Sequence, residues 1–477
     1  MKESGNTLSK VIGRTDIIAI GFGTMVGWSW IVMAASWVNE AGWLGALTAF
    51  AIGGLIILSI GITYGELTAA LPLAGGEFVF AYRSMGKNAA WIVGWIMALA
   101  YLGVAAWEGI ALATAIDFVF PIPDAVPLWE IAGHQVYLSW ALMGSFGAVV
   151  IMFLNIFGIR PATLFQVMAT AALMIIVLII FFGGIVFGSK ENIGETFVDG
   201  EGFSYVFLMV PAMLIGFDVI PQSAEEMNIG SRNIGKMVLV CIIASMIWYF
   251  LLIIGISLAA PLEIRASGKL PVADIAAYMF HGEIFSTVVI IGGIFGILTS
   301  WNGFFIGATR LIFSMGRARL LPEIFGKVHK KYKSPWAASL LVGSICAFSP
   351  FLGMNALQWF VDTSSMCALF SYIFVVISFL ILKKKEPDLA RPLDIKGGLK
   401  VGIIILIVSC LYFILYLQES LFAISLGPEF VITISWLLVG VLLTLLARKT
   451  NKELSWEQQE LLIFGERFAR KGARYEK

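Results

Sequence analysis

The stretch Gly21-Phe-Gly-Thr-Met-Val-Gly-Trp-Ser-Trp30 lies inside an apolar run from Ile17 to Val38. At a helical rise of about 1.5 Å per residue, that run is long enough to cross a bilayer. Gly21, Gly23 and Gly27 stand where an uninterrupted spanning helix favours leucine or alanine. Glycine weakens helix and lets another group approach the backbone closely. In hydrocarbon, the freed N–H and C=O groups survive only where they face protein or a polar cavity. A second interrupted run, Val210-Pro-Ala-Met-Leu-Ile-Gly-Phe-Asp-Val-Ile-Pro221, carries a glycine, an aspartate and two prolines. Two broken spans at corresponding places in two halves of a chain point to a central binding site of the transporter kind. The plainer reading is two helices kinked, or closely packed, through glycine.

The totals agree with a membrane location. Of 477 residues, 59% are hydrophobic and 13% charged, with a mean hydropathy of +0.90. That composition excludes an ordinary soluble domain and predicts a polytopic helical membrane protein. The net charge of +1 argues neither for nor against an acidic partner, and no nucleic-acid partner is expected. Cys241, Cys346, Cys367 and Cys410 all fall in apolar runs, so neither a disulfide nor a disulfide-linked partner subunit is expected. His134, His281 and His329 lie in loops or at span ends, and no Cys/His cluster has metal-ligand spacing. No metal and no cofactor is expected.

Apolar runs of about twenty residues predict twelve spans, near 17–38, 43–69, 89–120, 136–157, 162–187, 204–224, 237–260, 283–312, 335–353, 356–382, 399–417 and 428–447. The first reads as an uncleaved signal anchor, because residues 1–16 lack a cleavage site. With the N-terminus in the cytoplasm, the outer loops hold only Lys190, Arg265 and Lys269 of the 32 lysines and arginines. The others cluster in Arg310–Lys333, Lys383–Lys400 and from Arg448 onward, so both termini are expected to be cytoplasmic. The loop Gly188–Phe203, with Glu191, Glu195, Asp199 and Glu201, reads as solvated. Leu262–His281 is expected to place a short helix over the outer mouth, and Ser455–Phe468 to rest as an amphipathic helix on the inner face.

Ionisable residues deep in a span are functional candidates. Asp218 sits in the second break, and Glu108 in Gly103-Val-Ala-Ala-Trp-Glu-Gly109 of the third span. An acid beside unwound backbone suits a cation or proton, whereas Glu108 could bind an amine, carry a proton or bond a neighbouring helix. Glu66, Glu77 and Glu225-Glu226 lie at the inner boundary, where caps and ion pairs to Arg83, Lys87 or Arg232 are expected. Exposed N–H groups of a half-helix attract a carboxylate, and exposed carbonyls attract an ammonium. Trp28, Trp30, Trp107 and Phe217 could wall such a site. No nucleophile–base pair, P-loop or filter repeat supports an enzyme or a channel.

These stretches resemble the amino acid–polyamine–organocation permease superfamily. Its first-helix pattern is similar to Gly23-Thr-Met-Val-Gly27-Trp-Ser-Trp, and its second-helix end to Tyr64-Gly-Glu-Leu-Thr-Ala-Ala-Leu-Pro-Leu-Ala-Gly-Gly-Glu77. Gly216-Phe-Asp-Val-Ile-Pro-Gln-Ser-Ala-Glu-Glu226, Arg310-Leu-Ile-Phe-Ser-Met-Gly-Arg-Ala-Arg-Leu-Leu-Pro322 and Lys384-Lys-Glu-Pro-Asp-Leu-Ala-Arg-Pro392 continue the likeness in order. The resemblance implies an all-α polytopic fold of twelve transmembrane helices, a 5+5 inverted repeat plus two C-terminal helices, with helices 1 and 6 discontinuous. It divides the chain into an N-terminal segment 1–16, repeats 17–187 and 204–382, two added helices in 399–447 and a tail 448–477. It also implies alternating access. A substrate carboxylate would rest near Gly23, Thr24, Gly27, Trp28 and Ser29, and an amine near Ala212 and Gly216, with Phe217, Trp107 and Glu108 close by. Asp218 falls where one member carries a proton-sensitive glutamate.

Two departures matter. Ser29 replaces a glycine of the first motif and Trp28 precedes it, so an indole is expected to reshape the carboxylate cradle. Leu173 stands where proton-driven members often have lysine. Exchange, a proton on Glu108 or Asp218, or Na⁺ near Thr299 and Ser300 remain open. The expected function is secondary transport of a small amino acid in a plasma membrane, the compact loops suiting a bacterial inner membrane. The alternatives are a carboxylate-free amine as substrate, and a membrane sensor without flux.

Overall fold

In a computed structural model, residues 8–131, 133–266, 268–421, 427–451 and 454–470 are described. The first apolar run forms α1 (Arg14–Met25) and α2 (Ser29–Ala41), bent by 57° at the break. There follow α3 (Trp43–Ala70), α4 (Gly76–Met85), α5 (Lys87–Val119), the strands β1 (Pro127–Ile131) and β2 (His134–Tyr137), α6 (Leu138–Ile156) and α7 (Ile159–Phe187). The second broken run gives α8 (Gly200–Leu214) and one turn, α9 (Val219–Gln222). After it come α10 (Ser231–Ala259), α11 (Leu262–Arg265), α12 (Pro271–Phe280) and α13 (Glu283–Arg317). The chain then forms α14 (Trp336–Phe348), α15 (Ala356–Lys385), α16 (Gly398–Leu421), α17 (Pro428–Thr450) and α18 (Trp456–Phe468).

Among the described residues, ten helices are long and apolar enough to cross a membrane, counting α8–α9 as one, and α1–α2 together make an eleventh. The protein is a multi-pass membrane protein. The run expected as a ninth span is shorter: α14 has 13 residues and continues only as a 3₁₀ turn, Ser349–Leu352. Pro350 lacks the N–H that regular helix needs there. The all-α expectation needs one correction. Pro127–Ile131 and His134–Tyr137 pair as an antiparallel hairpin in the loop between α5 and α6, with Gly133 at positive φ supplying its turn.

Helix α5 is the axis of the bundle, packed against α13, α15 and α6. At the end where the basic clusters lie, buried ion pairs tie distant segments together. Arg310 Nε meets Glu226 Oε2 at 2.8 Å and Arg317 Nη1 meets Glu225 Oε2 at 2.8 Å. Glu66 accepts Lys383 at 2.9 Å and Arg391 at 3.1 Å. Lys383 also meets Asp394 and holds that exposed carboxyl below the usual carboxylate range. These partners correct the expected ones: Arg83, Lys87 and Arg232 bind none of Glu66, Glu77, Glu225 or Glu226 among the described residues.

Arg83 instead joins the C-terminal helix to the bundle. It donates to Glu386 and, at 2.8 Å, to Glu460 of α18, whose carboxylate is fully buried. Phe464 packs on Tyr82, and the Arg83 guanidinium lies over its ring. The apolar face of α18 is therefore seated on protein, where the sequence suggested a membrane surface. Glu460→Gln is expected to weaken this seat by about 1–3 kcal/mol, since a buried charge keeps only part of its pairing. Hydrogen exchange should quicken across residues 456–468 and stay unchanged in α13. Equal exchange in α18 would mean that its apolar contacts alone hold it.

Candidate functional site

The two breaks abut. Gly216 has φ 120, and a Cβ there would lie 2.8 Å from Thr24 Cγ2 and 3.0 Å from the Thr24 carbonyl carbon. Only glycine combines that backbone conformation with so close an approach. The Gly216 N–H donates to Asp218 Oδ1 at 2.9 Å and so leaves the helical ladder, which frees the Ala212 carbonyl of its helical donor. On the other side, α1 ends at Met25, and no side chain caps the first turn of α2 at Trp28. The junction thus brings uncapped N–H groups near Ser29 and released carbonyls near Ala212 to the same place.

A cavity of about 50 Å³ occupies that place, lined by Thr24, Gly27, Ser29, Trp107, Ala212 and Ser300 among others. It adjoins a vestibule of about 1080 Å³ with which it shares Ser29, Trp107, Ala212 and Ser365. The vestibule wall carries Asp199, Glu201, Asp362 and Glu429, with neither lysine nor arginine among its described lining residues. Asp199 partly spends its charge capping α8 through Gly202 N, and Asp362 accepts the Gln358 amide. Glu108 sits behind the cavity wall, fully buried. Its Oε1 would be 3.6 Å from a Cβ on Gly27, and its carboxylate faces the Ser300 hydroxyl without a well-formed hydrogen bond.

Of the expected site residues, Thr24, Gly27, Ser29, Trp107, Ala212 and Ser300 line the cavity, and Glu108 borders it. Others do not. The Trp28 indole turns away: it presses on α13, where a Cβ on Gly293 would meet its Cε3 at 2.8 Å, and lines a separate crevice with Ala111 and Thr114. The indole does not line the cavity and so does not reshape the cradle as the sequence suggested; Met25, Trp107, Tyr249 and Phe304 narrow it instead. Trp30 packs edge-on against Trp248, with ring centroids 5.6 Å apart. Phe217 packs among Tyr64 and Tyr372 at 5.2 and 5.3 Å. Gly23 faces Thr170, Gln166 and Thr299, and the Thr299 hydroxyl is engaged with Gly296 O at 3.0 Å.

Sequence reasoning missed Glu77. It is fully buried and accepts hydrogen bonds from Gln222 Nε2 and, at 3.4 Å, from the Tyr101 hydroxyl. The same hydroxyl lies 3.0 Å from Asp218 Oδ2. Tyr64 and Tyr372 complete the cluster, which joins α3, α4, α5, α15 and the α8–α9 break. Neither carboxyl forms an ion pair with a lysine or arginine among the described residues. Two carboxyl groups therefore share one hydrogen-bonded pocket without a countercharge. Asp218 had been legible as an acid in a broken helix, and the signal for Glu77 was its place just after the Gly75-Gly76 turn.

Residues 12–447 match the amino acid permease family. The chain is 24% identical over 461 residues to the branched-chain amino acid permease of Bacillus subtilis, covering 94% of this chain and 95% of that protein. It is 23% identical over 472 residues to the methylthioribose transporter of Bacillus subtilis, covering 95% and 96%. To the aspartate-proton symporter of the same organism it is 27% identical over 425 residues, covering 84% and 78%.

Proposed function

This chain belongs to the amino acid permease family, and on that premise we propose that it is a secondary transporter carrying a small amino acid by alternating access. The reading rests above all on the contact of Gly216 with Thr24, which sets the break of one half-chain against the break of the other beside a cavity. Helix ends of opposite polarity suit a zwitterion. The carboxylate is placed at the first N–H groups of α2 near Gly27 and Ser29, and the ammonium at the carbonyls near Ala212. The cavity of about 50 Å³ has room for water only, so binding widens it from the vestibule side. In this reading α1–α2, the short α14 and the ten long helices make twelve spans, arranged as two inverted repeats plus α16 and α17. The basic end faces the cytoplasm of a bacterial cell, with both termini there.

A proton as coupling ion is supported by the Glu77–Asp218 cluster, where burying two like charges side by side is costly and one shared proton relieves it. Sodium near Thr299 and Ser300 has less support. The space beside Gly23 is taken by the Gln166 amide, whose Nε2 donates to Ala19 O and Thr299 O at 3.2 and 3.0 Å. Those carbonyls are already occupied as acceptors.

A second reading, a carboxylate-free amine as substrate, is favoured by the acidic vestibule and the buried Glu108. Uptake into proteoliposomes, competed with amino acids and their decarboxylated amines, separates the two. Amino acids are expected to compete and the amines to fail. If the amines win, Glu108 becomes the anchor, and Glu108→Gln should then lower affinity about a hundredfold for the loss of a buried charge pair. Binding without flux for every pair would turn the reading toward a sensor.

A further inference from the structure

The start of α5 and the end of α17 lie at the same end of the bundle and enclose a groove of about 860 Å³. Its walls are pinned. The indoles of Trp95 and Trp436 stack at 4.2 Å and each donates its N–H to the other residue's carbonyl, at 2.9 and 2.8 Å. Nearer the end of the groove, the Trp91 indole N–H donates to Thr444 Oγ1 at 2.9 Å. The cleft between the two helices is thus a fixed feature of the fold.

The groove changes character along its length. At its head stand Lys87, Arg319 and Arg448. Arg319 is paired with Glu323, whereas Lys87 and Arg448 have no carboxylate partner among the described residues. No aspartate or glutamate stands among the described residues that line the groove. Below the cations, Ile92, Val441 and Leu445 are 44%, 47% and 48% exposed, on helices apolar enough to span a membrane. Cations above an open aliphatic wall match a molecule that is anionic at one end and hydrocarbon along the rest. A lysine ammonium and arginine guanidinium groups together suit phosphate oxygens. The head of the groove lies at the termini of both spans, the level at which lipid phosphates lie.

We propose that this groove is a binding site for an anionic phospholipid. Its phosphate sits among Lys87, Arg319 and Arg448, and one acyl chain runs along Ile92, Val441 and Leu445. A zwitterionic lipid carries its own ammonium and gains less from three cations. A free phosphate gains nothing from the aliphatic wall. Because α5 also carries Trp107 and Glu108, a lipid here would brace the helix that walls the central cavity.

Purified full-length protein, equilibrated in mixed micelles with equal phosphatidylglycerol and phosphatidylcholine, tests this by native mass spectrometry of the retained lipid. Phosphatidylglycerol should be retained about tenfold over phosphatidylcholine. The double variant Lys87→Gln, Arg448→Gln should lose that preference while Lys87→Arg, Arg448→Lys keeps it. Equal retention of the two lipids by the unaltered protein would overturn the proposal, whether or not the double variant can be purified. So would undiminished phosphatidylglycerol on a well-folded double variant, or its displacement by millimolar inorganic phosphate, which would mark an open anion site.

Discussion

Replacing Gly303 by valine is expected to abolish transport while the protein still reaches the membrane. Gly303 lies on α13 directly against Thr24, the last turn of α1 before the break. A Cβ at Gly303 would overlap Thr24 Oγ1 and stand 2.7 Å from its Cβ and 2.9 Å from its Cγ2. Thr24 cannot swing aside, because its hydroxyl donates to Ile20 O at 2.5 Å and Gly216 closes the opposite side. The extra atoms must therefore push the end of α1 away from α13, by about an ångström or more, and the site is built from that end. Misplacement on that scale can lower a rate about a hundredfold, and valine exceeds the smallest displacement. Initial uptake per reconstituted molecule is the measurement, with monodispersity on size exclusion as the folding control. Gly303→Ala should be milder, and Thr24→Gly in that background should recover part of the loss, less about 1 kcal/mol for a helical glycine. Normal uptake by Gly303→Val would show that the contact between α1 and α13 is not part of the transporting cycle.

How far this site was legible in the sequence depends on the distance over which each residue acts. The first break could be read from its glycine-rich run, although only Gly27 lies in the break itself and Gly21 and Gly23 stay helical within α1. The second could be read because Gly216 lies in the break, while Pro211 and Pro221 flank it inside α8 and α9. That the two breaks touch could not, since it depends on how α1, α8 and α13 pack. The Trp28 indole shows the same limit. Its place beside Ser29 suggested a reshaped cradle, but Gly293, more than two hundred residues later, leaves a surface on α13 that takes the ring. Acid partners failed for that reason too. Arg83 was assigned by proximity to the inner-boundary acids, whereas Glu66 finds Lys383 and Arg391, and Arg83 finds Glu386 and Glu460.

The spans were legible where an apolar run exceeded a bilayer's need, and less so where backbone chemistry intervened. Hydropathy marks 335–353 as one unit, but Pro350 converts the end of that unit into a 3₁₀ turn. Hydropathy is equally silent on the β1–β2 hairpin, which forms in an exposed loop between long helices. The acidic vestibule is a third case. Asp199 and Glu201 read as solvated loop residues, and only the fold sets them beside Asp362 and Glu429 at the entrance to the cavity.

Glu77→Gln is the substitution expected to separate substrate movement from proton movement. In the cluster, Glu77 and Asp218 are joined through Tyr101 and Gln222, with Tyr64 and Tyr372 adjacent and no ion pair to either carboxyl among the described residues. An amide in place of one carboxyl keeps the volume and most of the hydrogen bonds but carries neither the negative charge nor the exchangeable proton. A carrier moving one proton with each substrate should accumulate that substrate about tenfold across a gradient of one pH unit. With Glu77→Gln, or Asp218→Asn, accumulation should fall to none, while exchange of labelled for unlabelled substrate at equal pH continues. Loss of both activities together would make the cluster a structural joint between α4 and the α8–α9 break, and loss of neither would move the proton elsewhere, with Glu108 the next buried acid to test. If the unaltered protein shows exchange but no accumulation at any pH gradient, the coupling proton is refuted and the cluster serves only to close the basic end. The experiment divides these cases because each carboxyl can be neutralised without changing the shape of the pocket, so that a change in driving force is read apart from a change in fit.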